Sequence, residues 1–283
     1  MSTPVAAASP DRQRSYDADP AALLGALLST IEEKIILLTS AGVASGSKLF
    51  GAAILSKEGL VPLTVATNNE AVSPLLHGEI NCLQQFFAQT EFPHPSGQEG
   101  EEKKRGRPNP RDCVFLATHE PCSLCLSGIT WSGFDNFFYL FTYEDSRDLF
   151  EIPYDIDILQ EVFRVPAVIP TPAPESSGEG EGGSGKAAVE AEDIHARPLY
   201  NRKNKFFTAR SLADLIDEIA AISAVNKNNK NENNGGEEAE AEAEAEVKNW
   251  RDEVQRVKDL YNGLSDTYQQ GKKGGVETAS FWK

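Results

Sequence analysis

The stretch "SPLLHGEINCLQQFF", residues 73–87, sets a histidine and a glutamate two positions apart at the head of an apolar run. Leu83, Phe86 and Phe87 recur at helical spacing after them, so the pattern predicts a buried helix from His77 to about Gln89. A lone histidine there would ordinarily be a hydrogen-bonded interior residue. What gives His77 and Glu79 a different weight lies further along, in "THEPCSLC", residues 118–125.

Cys122 and Cys125 are three apart, so a helix projects them from one side and lets both grip one ion. In the first turn of that helix, unpaired N–H groups and the positive end of the dipole favour thiolate over thiol. Pro121 cannot donate a hydrogen bond and pre-shapes the approach. Two helix N-termini could then meet over one point at the edge of a sheet. One nitrogen and two sulfurs suit Zn2+, and three protein ligands leave a fourth tetrahedral position open, as in catalytic rather than structural sites. Zinc lowers the pKa of water held there towards ~7, and a neighbouring carboxylate such as Glu79 can accept the proton and deliver it elsewhere. The structural alternative is a closed clip completed by Cys82, Cys113, His94 or His119. Cys82 and Cys113 read better as small apolar core residues, His94 as loop and His195 as linker. Trp131 and Phe134 read as packing residues.

Around this pair the chain alternates helices and strands. "DPAALLGALLSTIEEKIILLTSAG" (19–42) predicts a helix capped by Asp19, with Leu24, Leu27, Leu28, Ile31 and Ile35 on one stripe. "KLFGAAIL" and "VPLTVAT" read as strands joined by the turn "SKEG". "CVFLAT" is a buried strand, Cys122 to Ser132 a helix stopped by Gly133, "NFFYLF" a strand, and "YDIDILQEVF" a helix. "SLADLIDEIAAI" is a helix with Ser211 and Asp214 as a capping pair. This order predicts an α/β fold of three layers, α/β/α, with helices on both faces of one sheet.

Composition marks the rest as inserts. Residues 1–18 read as a disordered leader, 91–111 as an exposed loop, 168–195 as linker, and 226–246 as an acidic low-complexity segment. The main domain is expected over 19–225 and a C-terminal helix and tail over 247–283, where the alanines and glutamates before Trp250 could extend the helix backwards while burying nothing. "ASFWK" at the C-terminus is either an aromatic lid bearing Phe281 and Trp282 or a frayed tail, the tail being preferred. The formal charge of −16 comes from 27 basic and 43 acidic residues. Setting aside twelve acids and one lysine in two acidic stretches, 171–195 and 237–246, leaves a remainder of about −5. A mildly acidic core without a basic stripe disfavours long nucleic acid, RNA included. "KKRGRP" (103–108) resembles an AT-hook or a nuclear import signal, but three glutamates precede it, so a solvated loop is the default and DNA contact is not expected. Four cysteines in 283 residues make no disulfide framework, and no apolar stretch is long enough to span a membrane, which fits a cytoplasmic or nuclear protein.

"HGE" followed by "PCSLC" resembles the zinc-dependent cytidine deaminase-like superfamily, with its His-x-Glu … Pro-Cys-x-x-Cys pattern. "HGEINCL" is similar to the corresponding helix of cytosine deaminases, and "EPCSLCLSGITWSGFDNFFYLF" to that of guanine and tRNA adenosine deaminases. The likeness covers roughly residues 20–165. It implies a cytidine deaminase-like mixed sheet flanked by helices, with His77, Cys122 and Cys125 as zinc ligands, Glu79 as proton shuttle, and the Cys122 backbone N–H holding the attacked centre. It implies that Asn68 or Asn69 reads the base. His119, just before the ligand segment, could by its position line the pocket. The function the likeness implies is hydrolytic deamination of a nucleobase, nucleoside or small nucleotide, by a protein that pairs as a homodimer. A tRNA-editing deaminase or its partner subunit, and a zinc-stabilised interaction module without turnover, are the alternatives.

Overall fold

The computed structural model describes residues 19–93, 104–163, 198–230 and 236–274. The leader, residues 94–103 of the charged insert with His94, the linker with His195, and Phe281 and Trp282 lie outside the described residues.

Five strands form the central sheet. β1 (Gly51–Ser56) and β2 (Pro62–Thr67) are an antiparallel pair, and β1 also runs antiparallel to β5 (Cys113–His119). β6 (Asn136–Phe141) and β7 (Thr208–Ser211) continue in parallel, giving the order β2-β1-β5-β6-β7. Strand periodicity explains how one sheet serves two cores. In β1, Ala53 and Leu55 face one apolar cluster while Ala52 and Ile54 face the other. In β6, Phe138 and Leu140 join the first, and Phe137 and Tyr139 the second.

The second cluster is closed by α3 (Gly78–Ala88) and α4 (Ser123–Ser132), the two helices that carry the metal-ligand motif. The first is closed by α1 (Pro20–Thr30), α2 (Ile36–Ala44), α7 (Leu212–Lys230), α8 (Gly236–Asp259) and α9 (Asn262–Lys273). The fold is therefore a mixed sheet between helical layers, as the sequence predicts.

Several elements differ from the sequence reading. The first helix is one rod with a π-helical turn at Ile31–Ile35 between α1 and α2, which keeps Ile31 and Ile35 both fully buried. The region read as an exposed loop has paired ends: β3 (Glu91–Phe92) and β4 (Lys104–Arg105) are antiparallel, and Phe92 is buried against Phe86. "YDIDILQEVF" begins as α6 (Tyr154–Ile158) and continues as a π-helical turn to Phe163. Unforeseen are α5 (Tyr143–Phe150), opened by a Thr142–Asp145 capping box, and β7. The Ala/Glu run extends the last helix backwards within α8, as the sequence allowed, but the burial of Val247, Val254 and Val257 on that helix in the first cluster was not foreseen. Trp131, expected to pack, is 91% exposed beside a groove of about 300 Å³ that it lines with Leu126, Thr130, Tyr200 and Phe207. No helix among the described residues is long and apolar enough to cross a membrane.

Candidate metal centre

Both motif helices begin at the same end of the sheet. β1 starts at Gly51 where antiparallel β5 finishes, with Ala52 opposite Ala117. The Gly51 N–H donates to Thr118 Oγ1 at 2.9 Å, which locks the two strand ends together. His77 is the extended residue before α3 and Cys122 the extended residue before α4. Each helix therefore presents its first ligand at the point where its dipole is positive.

Gly78 lets α3 come this close. A Cβ there would lie 2.8 Å from Gly51 Cα and 3.1 Å from Phe50 O, both backbone atoms. The Gly78 N–H donates to Asn68 Oδ1 at 2.8 Å, so Asn68, only 3% exposed, fixes the start of the helix with its side chain. Asn69 is placed differently. Its N–H donates to Leu76 O and its carbonyl accepts from Val72 N, closing the 69–76 loop that leads to His77.

His77 Nδ1 stands 3.4 Å from Cys122 Sγ and 3.7 Å from Cys125 Sγ. The donor atoms of these three residues lie within 4.8 Å of one another, and no other such group of three occurs among the described residues. Cys82 and Cys113 are buried elsewhere, their thiols turned to Thr64 O and Asn109 O. Glu79, fully buried, accepts from the Cys125 thiol through Oε2 at 3.3 Å. Its other oxygen has no hydrogen-bond partner among the described residues.

The electrostatics suit a cation. The Cys125 thiol beside Cys122 holds the Cys122 thiol well below the ordinary range, against the opposing effect of burial and with help from His77. Burial keeps Cys125 well above it. Burial also opposes charge on His77, yet the Cys122 sulfur, Glu79 and Asp155 raise its imidazole to about 9. One nitrogen and two sulfurs converging beside a buried carboxylate with an unpartnered oxygen are a donor set that zinc fits.

A model of the cytidine and deoxycytidylate deaminase zinc-binding region matches residues 12–141. That stretch, a little under half of the chain, is what this protein shares with such deaminases. No curated protein matches the sequence. Among solved structures, NE0047 in complex with 2,6-diaminopurine shares 21% identity over 47% of this chain, with a TM-score of 0.31, and the chain spans only 61% of its length. A guanine deaminase from Nitrosomonas europaea shares 16% identity over 71% of this chain and 84% of its own, with a TM-score of 0.33. A structure from work on tRNA:A34 deaminases, which edit A to I at the wobble position, shares 14% identity over 40% of this chain and 72% of its own, with a TM-score of 0.29. Overlaps this loose say nothing of substrate.

Around the candidate metal centre the structure gives His119 its surroundings and adds Glu120, Tyr143, Asp155 and Tyr200, which the sequence did not single out. His119, at the end of β5, lies against Glu79 and has Asp155 of α6 on its far side. One position on, the buried Glu120 accepts from Tyr200 Oη at 2.8 Å and from Tyr143 N at 3.2 Å. Tyr143 Oη donates to Pro121 O at 2.5 Å, and Glu120 N to Phe141 O at 2.7 Å. These bonds clasp the segment that leads into Cys122. Asp155 and Tyr200 are far from the motif in sequence, and no local pattern marks them.

Proposed function

We propose that this chain is a hydrolytic deaminase of an amino-substituted nucleobase, nucleoside or small nucleotide. The observation that carries the reading is the position of Glu79: a fully buried carboxylate 3.3 Å from a sulfur of a three-donor metal set. A closed structural clip has no chemical use for that group.

His77, Cys122 and Cys125 would hold zinc, which supplies Lewis acidity and makes water a usable nucleophile at neutral pH. Glu79 takes a proton from the water that adds to the amino-bearing ring carbon. It then gives a proton to the amine, which leaves as ammonia while the carbonyl forms, so one water is consumed for each ammonia released. The Cys122 amide, at the head of α4, holds the oxygen of the attacked centre. Asn68 anchors the loop that leads to His77, and Asn69 lies beside it as the candidate contact to the base. Burial of Glu79 strengthens each of these interactions.

The test is zinc-loaded protein against a panel of free bases, nucleosides, nucleotides and tRNA, read by ammonia release and nucleoside composition. Ammonia is expected from a small substrate, and Glu79→Gln should retain zinc while losing about 10²–10⁴-fold or more in rate. Inosine or uridine appearing in tRNA alone would replace the small-molecule reading with RNA editing. No ammonia from any substrate, with zinc bound, would leave the interaction module.

A further inference from the structure

Two buried polar atoms beside the centre face each other, each without a hydrogen-bond partner among the described residues: Glu79 Oε1 and His119 Nδ1, 3.8 Å apart. That gap is too long for a hydrogen bond and right for charge attraction. On the opposite edge of the ring, Nε2 stands 3.7 Å from Asp155 Oδ2. The ring is held flat against Phe50, with centroids 3.6 Å apart and planes 15° from parallel.

We infer that His119, braced by Asp155 and Phe50, is a positioning residue that sets the orientation of the Glu79 carboxylate. The inference rests on reading Glu79 as the proton-transfer group. A carboxylate on its terminal torsion is broad and nearly two-fold, so burial alone does not fix which way its oxygens point. Here Oε2 is engaged by Cys125, and Oε1, without a hydrogen-bond partner among the described residues, faces His119 Nδ1. Both ring nitrogens of His119 face carboxylates, Glu79 on one edge and Asp155 on the other, so the ring acts through Glu79.

The imidazole also lies between two carboxylates that would otherwise repel each other across a dry interior. Burial opposes its charge, but Glu79 and Asp155 outweigh burial and raise its pKa. Three elements meet in this row: the head of α3 through Glu79, the end of β5 through His119, and α6 through Asp155. A shift of α6 would therefore reach the catalytic carboxylate through a single ring.

The experiment has two arms. In zinc-loaded protein, NMR of the histidine ring nitrogens should show the His119 Nδ1 resonance moving in Glu79→Gln and its Nε2 resonance moving in Asp155→Asn. If neither moves, the inference falls whatever the substrate. With a substrate from the panel above, His119→Ala should lower kcat about 10–100-fold with zinc content and KM nearly unchanged. His119→Gln, which keeps a donor, should recover part of that loss. Asp155→Asn should lower kcat less, and the double variant should be no slower than His119→Ala alone. A rise in KM at constant kcat, or additive losses, would make His119 a substrate contact and overturn the inference. Ring shifts that behave as expected in a protein whose wild type releases no ammonia would uphold the positioning and sink the deaminase reading.

Discussion

Gly78 stands between His77 and Glu79, and its missing side chain is what brings both to the sheet. A Cβ at that position would meet the backbone of Gly51 and Phe50, atoms that cannot swing aside. A Cβ at Gly128, on α4, would come within 2.7 Å of Ile80 Cδ1 and 3.3 Å of Leu83 Cδ1, the flexible ends of two side chains. Both changes add helix propensity, up to ~1 kcal/mol in a helix interior and less at the first turn. Overpacking against fixed atoms costs about 1–3 kcal/mol. Gly78→Ala is therefore expected to lower stability by about 1–2 kcal/mol and to loosen zinc, while Gly128→Ala stays near neutral. Denaturant midpoints of the two variants, with zinc retention against a chelator, check this; equal losses would show that close approach at Gly78 is not what matters.

Between elements, the clasp around Glu120 joins the end of β5, the start of α5 and the 198–207 segment just ahead of the first cysteine. Burial is the largest influence on the Glu120 carboxyl and raises its pKa, against the hydrogen bonds from Tyr200 and Tyr143. The folded protein thus binds this proton more tightly than the unfolded chain. Its contribution is fully present below the ordinary glutamate value of ~4.3 and declines as pH rises through the raised value. Glu120→Gln should remove that fall, so the variant gains on wild type as pH moves from acid to neutral. Stability curves against pH for both proteins test it, and parallel curves would refute it. Legibility followed the same divide between local and distant signals. Cys113–His119 and Asn136–Phe141 were readable because buried parallel strands are unbroken apolar runs. The meeting of His77, Glu79, Cys122 and Cys125 was readable because helix starts impose fixed spacing on each pair. α5 was missed because "YEDSRDLF" is mostly polar, and only its capping box could have revealed it. β7 was missed because "TARS" is short and carries an arginine whose guanidinium lies over Phe138. The His119–Asp155 and Glu120–Tyr200 contacts were beyond reach, since nothing local determines a pairing across the fold.

For the whole molecule, the question is whether the C-terminal helices are an appendage or part of the structural core. The sequence separated them because "EEAEAEAEAE" buries nothing, and the described glutamates of that run are indeed exposed. The signal overlooked was the spacing of Val247, Val254, Val257 and Tyr261, which helical periodicity places on one face. That face lies against the first cluster, where Tyr261 meets Phe141 edge-on and Leu264 and Tyr268 of α9 continue the contact. Trp250 reaches α1 beside Gly25, and Gln269 donates to Phe150 O at 2.7 Å. Surface ion pairs, Arg256 with Glu32 and Lys258 with Asp145, add orientation and little stability. Apolar burial decides the matter. At about 1.5–3 kcal/mol per large side chain, the buried residues of α8 and α9 contribute on the order of 10 kcal/mol as an upper bound. That matches the whole stability of a typical domain, ~5–15 kcal/mol. A chain ending after Lys230 is therefore expected to lose cooperative unfolding, bind a hydrophobic dye and release zinc, although every residue of the metal motif is retained. A soluble truncation with a sharp thermal transition and intact zinc would show instead that the sheet and its motif helices stand without α8 and α9.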